Sequence, residues 1–448
     1  MKKTIYTLVI IQIMALTSLQ SQSWIPQGAG MLPVGYIMFS ISVVNDSVVW
    51  AIACDYAEFN NTSGTGVSPG HISKVLRTTD AGETWQSHDV EESMGRVSYN
   101  IEAVDANTAW ISSQDFGSGL GRALYNTADG GNTWTQKLLH RAGGVFVRVF
   151  DEQHIMCQNN RYKAWSMDGG ENWSVDTLEQ YGASEYNLVA SANNMACTVG
   201  DTLWVGTSEG RIVRTINYGE TTEFFETGFS IIQCVSFKDH ENGMLFYYNS
   251  STDFGTAIST DGGVNWEATP TKPFTNFEYN LTYVPGTAGT FITATDHFND
   301  NNEVFWTTDF GETWLPAESI EGNFTNCIDF SSPTSGWVAA GGPITSETVP
   351  ILFRYSGDPL TGSQHLPAPI AKFHLYPNPV ADYINVTFTS PTAGQLLLHD
   401  VNGCLLYQKA ITKTDLSTSI DLRDLPAGVY TVTVSSVEGV VVEQVVKR

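Results

Sequence analysis

Five aspartates carry the most conspicuous chemistry in this chain. Asp80, Asp129, Asp168, Asp261 and Asp309 each sit in the phrase Ser/Thr-x-Asp-x-Gly-x-x-Trp, closed by Trp85, Trp134, Trp173, Trp266 and Trp314. Carboxylates at a fixed spacing invite an acid–base or metal-binding reading. A mechanical reading fits the rest of the phrase better. An Asp accepts backbone N–H bonds and shapes an Asx-turn, and Ser or Thr does the same more weakly. The Gly supplies a positive φ at a hairpin tip, and the Trp offers a large apolar surface to a seam. The phrase therefore reads as a turn clamp, with no catalytic residue assigned to it.

Other chemical signatures are thin. Gly206-Thr-Ser-Glu-Gly210 matches the nucleophile-elbow pattern, but "RIVRT" after it reads as a strand where the elbow needs a helix. The nine histidines show no metal spacing, and the six cysteines (Cys54, Cys157, Cys197, Cys234, Cys327 and Cys404) form no CxxC or Cys/His cluster. "DHFNDNNE" is acidic but lacks the glycine and spacing of a calcium loop. No metal and no cofactor is expected, and most of the thiols are expected to be buried and unbridged. Loop carboxylates such as Asp55, Glu92, Glu185 and Asp253 are plentiful, and sequence cannot pair them.

The elements that position these residues follow from repetition. A second landmark recurs at Trp50, Trp110, Met156, Trp204, Leu245, Phe291 and Trp337, and a decayed turn phrase, "RTINYGETT", puts Asn217 in the Asp place. Seven units of four short strands imply an all-β chain with a seven-bladed β-propeller over residues 22–357. The seventh unit lacks its last strand, and "SWIPQ" near the N-terminus reads like a strand that follows a clamp. Trp24 and its neighbours are expected to complete the last blade and close the ring.

Two features are expected on the face opposite the clamps. The first is the long stretch Asp55–Ile72, holding Tyr56, Phe59 and His71. The second is the recurring pair Tyr99-Asn100, Tyr186-Asn187 and Tyr279-Asn280, which could ring one end of the channel. These residues are the ligand-binding candidates, because amides pair with hydroxyls and aromatic faces stack on sugars.

The N-terminal end reads as an export signal, and the C-terminal end as a separate small domain. Lys2 and Lys3, the apolar run from Ile5 to Leu16 and "TSLQSQS" form a secretory signal peptide over residues 1–21. No later stretch approaches transmembrane length. Residues 358–372 are a Pro/Gly/Ser-rich linker, and alternation over 373–448 gives a small immunoglobulin-like β-sandwich. The formal net charge of -25 argues against nucleic acid and anionic membranes, which demand a basic face.

The turn phrases resemble the Asp-box, or BNR, repeats of sialidases, sortilin-type receptors, xyloglucan-degrading hydrolases and a photosystem II assembly factor, over roughly residues 23–357. In that family the boxes lie away from the active face. A sialidase would need an arginine cluster, and no Arg-Ile-Pro phrase precedes the first box. The tail resembles the type A C-terminal sorting domain of the Bacteroidetes type IX secretion system. The matching residues are Tyr376, Pro377, Asn378 and Pro379, the Asp400-x-x-Gly403 turn, Leu425-x-x-Gly428-x-Tyr430, and Lys447-Arg448. That resemblance implies handling by the type IX machinery and a secreted or outer-membrane surface location. The expectation is an exported propeller that binds a glycan or an extracellular protein. A glycoside hydrolase and an adhesion or scaffold protein are the alternatives.

Overall fold

The computed structural model describes residues 23–59, 71–114, 121–140, 146–159, 161–182, 185, 196–270, 279–295, 304–317, 325–340, 343–357, 359–360, 373–388, 394–400, 405–412, 414–415, 417–436 and 439–448. The signal-peptide reading over 1–21 lies outside these residues. Among the described residues no helix is long and apolar enough to cross a membrane. The chain divides into two compact units, residues 1–362 and 363–448.

The first unit contains seven four-stranded antiparallel sheets, called blades 1 to 7 in chain order. Their innermost strands are Tyr36–Val43, Val97–Ala103, Phe146–Val149, Ala196–Val199, Ile231–Phe237, Tyr279–Tyr283 and Thr325–Ser332. Blade 7 takes its outermost strand from the other end of the chain. Ser23–Gln27 pairs antiparallel with Leu352–Ser356, and Trp24 lies opposite Tyr355. Trp24 packs edge-on against Tyr355 and Phe330, with ring centroids at 5.5 and 6.3 Å. The last sheet is thus completed by the first strand, which removes an exposed edge.

Strand formation follows from alternation over inward-facing β-branched, aromatic and small residues. The core is a series of seam clusters. One joins Trp50, Ile52 and Val75 of blade 1 to Ile101, Ile111 and Tyr125 of blade 2. Cys54, Cys157, Cys197, Cys234 and Cys327 are all unbridged. Burial raises the proton affinity of the Cys157, Cys197 and Cys234 thiols, with Cys197 at about 11, so they pack as neutral groups. Cys404 lies outside the described residues.

The second unit has a three-stranded sheet (Phe373–Tyr376, Tyr383–Phe388, Ser417–Asp421) and a four-stranded sheet (Leu405–Ile411, Gly394–His399, Gly428–Ser436, Gly439–Lys447). Val386, Ile420, Leu396, Val432 and Val445 share its core. Its motif residues build this fold. Asn378 donates its amide to the Gln444 carbonyl and accepts the Val446 N–H, both at 2.9 Å. Val380, just after Pro379, donates its N–H to the Val446 carbonyl at 2.8 Å. The Tyr430 hydroxyl donates to the Pro426 carbonyl at 2.7 Å, two residues before Gly428. The Lys447 ammonium is buried and donates to the carbonyls of Leu422, Arg423 and Leu425.

Candidate functional site

The five clamp aspartates are fully engaged. Asp80 accepts the Thr78 hydroxyl at 2.8 Å, the Thr84 N–H at 2.8 Å and the Thr84 hydroxyl at 2.6 Å. Thr78 in turn accepts the Gly82 N–H at 2.9 Å. Asp129, Asp168, Asp261 and Asp309 repeat the arrangement, with Asn172 and Asn265 replacing the second Thr in two turns. Hydrogen bonds to the ionised form hold Asp80 below the usual carboxylate range and hold Asp129 and Asp168 at about 2. Asp80, Asp129 and Asp168 are therefore ionised at neutral pH and suited to holding the turn.

The turns also fix which face is which. The Ala81, Gly130, Gly169 and Gly262 N–H groups each donate at 2.9 Å to the first hairpin of their own blade, at Ser47, Asn107, Gln153 and Glu241. The clamp turns and the C-terminal ends of the innermost strands therefore share one face, the box face.

At that face a cavity of about 340 Å³ opens on the channel axis. Its wall includes Ser42, Glu102, Arg148, Cys197, Ser236, Thr282 and Asp329, one from each blade. These seven are equivalent by register. Ser42, Glu102, Arg148, Cys197 and Asp329 lie opposite Trp50, Trp110, Met156, Trp204 and Trp337 on the neighbouring strand. Ser236 and Thr282 lie opposite Met244 and Ile292, so in blades 5 and 6 the landmark position belongs to these residues and not to their neighbours Leu245 and Phe291, which the sequence reading chose.

The ring's common task is to clasp the next blade. The Ala103 N–H donates to Ser42 Oγ at 3.0 Å, the Phe237 N–H to Cys197 Sγ at 3.1 Å, and the Tyr283 N–H to Ser236 Oγ at 2.8 Å. At the closing seam the Val43 N–H donates to Asp329 Oδ2 at 2.8 Å. In every case the donor is the residue directly after the next ring position. Blades 2, 3 and 6 depart from the pattern; in blade 6 the Thr282 hydroxyl donates to the Tyr283 carbonyl at 3.4 Å, and the Phe330 N–H goes to Asp329. In blades 2 and 3 Arg148 Nη1 donates to Glu102 Oε2 at 3.2 Å, and Arg148 also donates to the carbonyls of Val147 and Ala196, each at 3.0 Å.

The electrostatics of this mouth are unusual for a structural ring. Enclosure raises the proton affinity of Asp329 to about 7; the Val43 N–H opposes that rise and the Glu102 charge adds to it. Burial also raises Glu102, opposed by Arg148. The Arg148 side chain is 4% exposed and that of Glu102 is 22% exposed. Holding an ion pair out of water is costly, and a hydroxyl at either position would suffice for a clasp. Among the described residues no cluster of three or more His, Cys, Asp or Glu is placed to hold a metal.

The residues expected to bind ligand on the opposite face are largely buried. Asn100 and Asn280 are each 5% exposed and are not part of the cavity wall. Asn100 accepts the Val147 N–H at 2.8 Å and donates to Ser40 Oγ at 3.5 Å, so it ties three blades together. Tyr99 is buried edge-on against Phe39 at 5.5 Å. Tyr56 packs partly buried against the blade 1–2 cluster, and His71 is buried with its carbonyl accepting the Gly95 N–H. Tyr186, Asn187 and the Tyr279 side chain lie outside the described residues.

Arginines that a carboxylate clamp would need are used in seams. Arg77, Arg214 and Arg354 donate to the carbonyls of Ala106, Gly262 and Ala81 in the following blade. Arg96 donates to the Gly121 carbonyl and the Tyr125 hydroxyl, and Arg211 pairs with Glu185. The seven-residue ring was missed by reading repeats as letters. Its signal was spacing: Ser42, Glu102, Arg148 and Asp329 each stand eight residues before the landmarks Trp50, Trp110, Met156 and Trp337.

Comparison with known proteins follows this division. Residues 374–448 match the family described as "Secretion system C-terminal sorting domain". The tail is such a domain, and the protein is exported by type IX secretion to the cell surface or the extracellular space. The search of curated proteins returns no match. The fold resembles a structure titled "YCF48 bound to D1 peptide", at 18% identity over 76% of this chain and 100% of that one, with a TM-score of 0.51. It also resembles YCF48 from Cyanidioschyzon merolae, at 15% identity over 75% and 98%, with a TM-score of 0.52. A GH74 enzyme from Niastella koreensis aligns at 13% identity over 91% and 83%, with a TM-score of 0.40. At such identities the likeness concerns the fold. The chain is an all-β, seven-bladed propeller followed by a small β-sandwich.

Proposed function

We propose that this protein is an exported binding protein whose propeller receives a polar group of an extracellular protein partner in the box-face mouth of the channel. The observation that carries the proposal is the ring of equivalent positions in which Glu102 and Arg148 replace the simple clasp with a charged pair. A partly enclosed charged pair costs stability that a hydroxyl would not, and ligand recognition accounts for keeping it. A protein partner is favoured over a glycan because the described residues of the cavity wall are Val, Ala, Leu, Cys, Ser, Thr and charged residues, with no aromatic ring among them on which a sugar could stack. A propeller of this fold has been solved with a peptide bound, so the architecture accommodates such a ligand.

The hydrolase alternative draws on the same cavity, since Glu102 and Asp329 both hold their protons more tightly than usual. Asp329, however, accepts the Val43 N–H on one oxygen and the Phe330 N–H on the other, which suits a seam better than proton transfer to a substrate. The test is selection of a random peptide library on the full mature chain, with a glycan array run beside it. The proposal expects peptides whose binding is lost in Glu102→Gln and Arg148→Gln. Glycan binding, glycan loss from the array over time, or peptides indifferent to both substitutions would count against it.

A further inference from the structure

Among the described residues of the cavity wall two carboxyls, Glu102 and Asp329, stand against one cation, Arg148, and that cation is already spent. Arg148 directs its guanidinium at Glu102, the Val147 carbonyl and the Ala196 carbonyl, and 4% of its side chain is exposed. An incoming anion would have to break those bonds. The acceptors are in the opposite condition. Glu102 gives Oε2 to Arg148, and its carboxylate borders open cavity. Asp329 meets two backbone N–H groups, while the charged groups that act on it are Glu102 and Arg148. The remaining titratable ring member, Cys197, is a neutral thiol. With both carboxyls ionised, the described wall residues carry one more negative charge than positive. The closing seam itself does not require that charge, because Ser42 and Ser236 make the same clasp with hydroxyls.

We infer that this mouth is a socket for an organic cation, an ammonium or guanidinium carried by the peptide partner, seated between Glu102 and Asp329. The inference rests on the binding role proposed above and names the chemistry of the group bound. The cation supplies the compensating charge that the cavity lacks, and burial strengthens the interaction relative to water. Binding is coupled to ionisation of Asp329. Its carboxyl holds a proton below about 7, so occupancy expels that proton and is favoured at higher pH.

The test uses the full mature chain with four small probes: ethylguanidinium, n-butylammonium, acetate and n-butanol, titrated by ligand-observed NMR at pH 8 and pH 5.5. Both cations should bind saturably at pH 8 and more weakly at pH 5.5. Glu102→Gln and Asp329→Asn should each weaken them about tenfold, as expected when one partner of a desolvated charge pair is removed. Melting curves check that each variant is folded, and Glu102→Gln decides alone if Asp329→Asn is not. Failure of either cation to saturate, or unchanged affinity in the variants, overturns the inference. Acetate binding that disappears in Arg148→Gln would mark an anion socket. That outcome overturns the cation assignment and leaves the binding role intact. Peptide binding indifferent to the ring would overturn the binding role itself.

Discussion

At the scale of single residues, one carboxylate type does two opposite jobs, and environment decides which. Asp168 is half-buried and accepts the Ser166 hydroxyl and both the Asn172 N–H and side-chain amide, which depresses its pKa to about 2. Its contribution is present above the unfolded pKa of about 3.9 and is lost as pH falls through about 2. Asp168→Ala should lower Tm at neutral pH and flatten the Tm profile between pH 5 and pH 2, with ligand binding retained. Asp329 runs the other way. Its folded pKa is raised to about 7, so its contribution is complete below about 3.9 and disappears as pH rises through 7. Asp329→Asn should therefore shrink the loss of Tm between pH 4 and pH 7; an unchanged slope would remove Asp329 as its source. The clamp aspartates were legible in the sequence because the whole motif spans eight consecutive residues. The ring was not legible by residue type, because Ser, Glu, Arg, Cys, Ser, Thr and Asp have no letter common to all seven and are related by strand register.

At the scale of elements, the two sequence landmarks turn out to be halves of one joint. The landmark Trp of blades 7, 1, 2 and 4 packs on the clamp glycine of the next blade, and in blade 5 Met244, beside Leu245, takes that place against Gly311. A Cβ built on Gly82 would lie 2.5 Å from Trp337, one on Gly170 would lie 2.4 Å from Trp110, and one on Gly131 would lie 3.3 Å from Trp50. Gly170 also has φ of +84°, so it meets a conformational and a steric demand at once. Gly170→Ala should cost about 1–3 kcal/mol from overpacking alone, read as a lower denaturant midpoint with unchanged ligand affinity. Blade 4 shows what replaces a decayed clamp. Asn217 and Tyr218 take positive φ values of 54° and 56°, and the buried Lys163 of blade 3 donates to the Gly219 carbonyl, the Glu220 carbonyl and the Thr222 hydroxyl. The sequence shows the decay of that turn. It cannot show the substitute, which arrives from a neighbouring blade more than fifty residues away.

At the scale of the whole molecule, closure and export define what the chain can do. The strand Ser23–Gln27 joins the first and last parts of the propeller through five paired positions. Deleting residues 22–40 should sharply lower Tm, since it removes that strand and half of the innermost strand of blade 1 as well; an unchanged Tm would contradict the closure. Repeat count, strand count and sorting tail were all readable in advance, because periodic landmarks survive even where individual residues drift. The face of the molecule that carries the charged mouth was not readable, since the ligand candidates chosen by residue type, Asn100 and Asn280, are buried away from the cavity wall. The most direct measurement is hydrogen–deuterium exchange of the full mature chain with and without a peptide selected on it. The account predicts protection at the C-terminal ends of the innermost strands, around residues 42–44, 102–104 and 196–198. Protection confined to the opposite face, around His71 and Arg96, would contradict it.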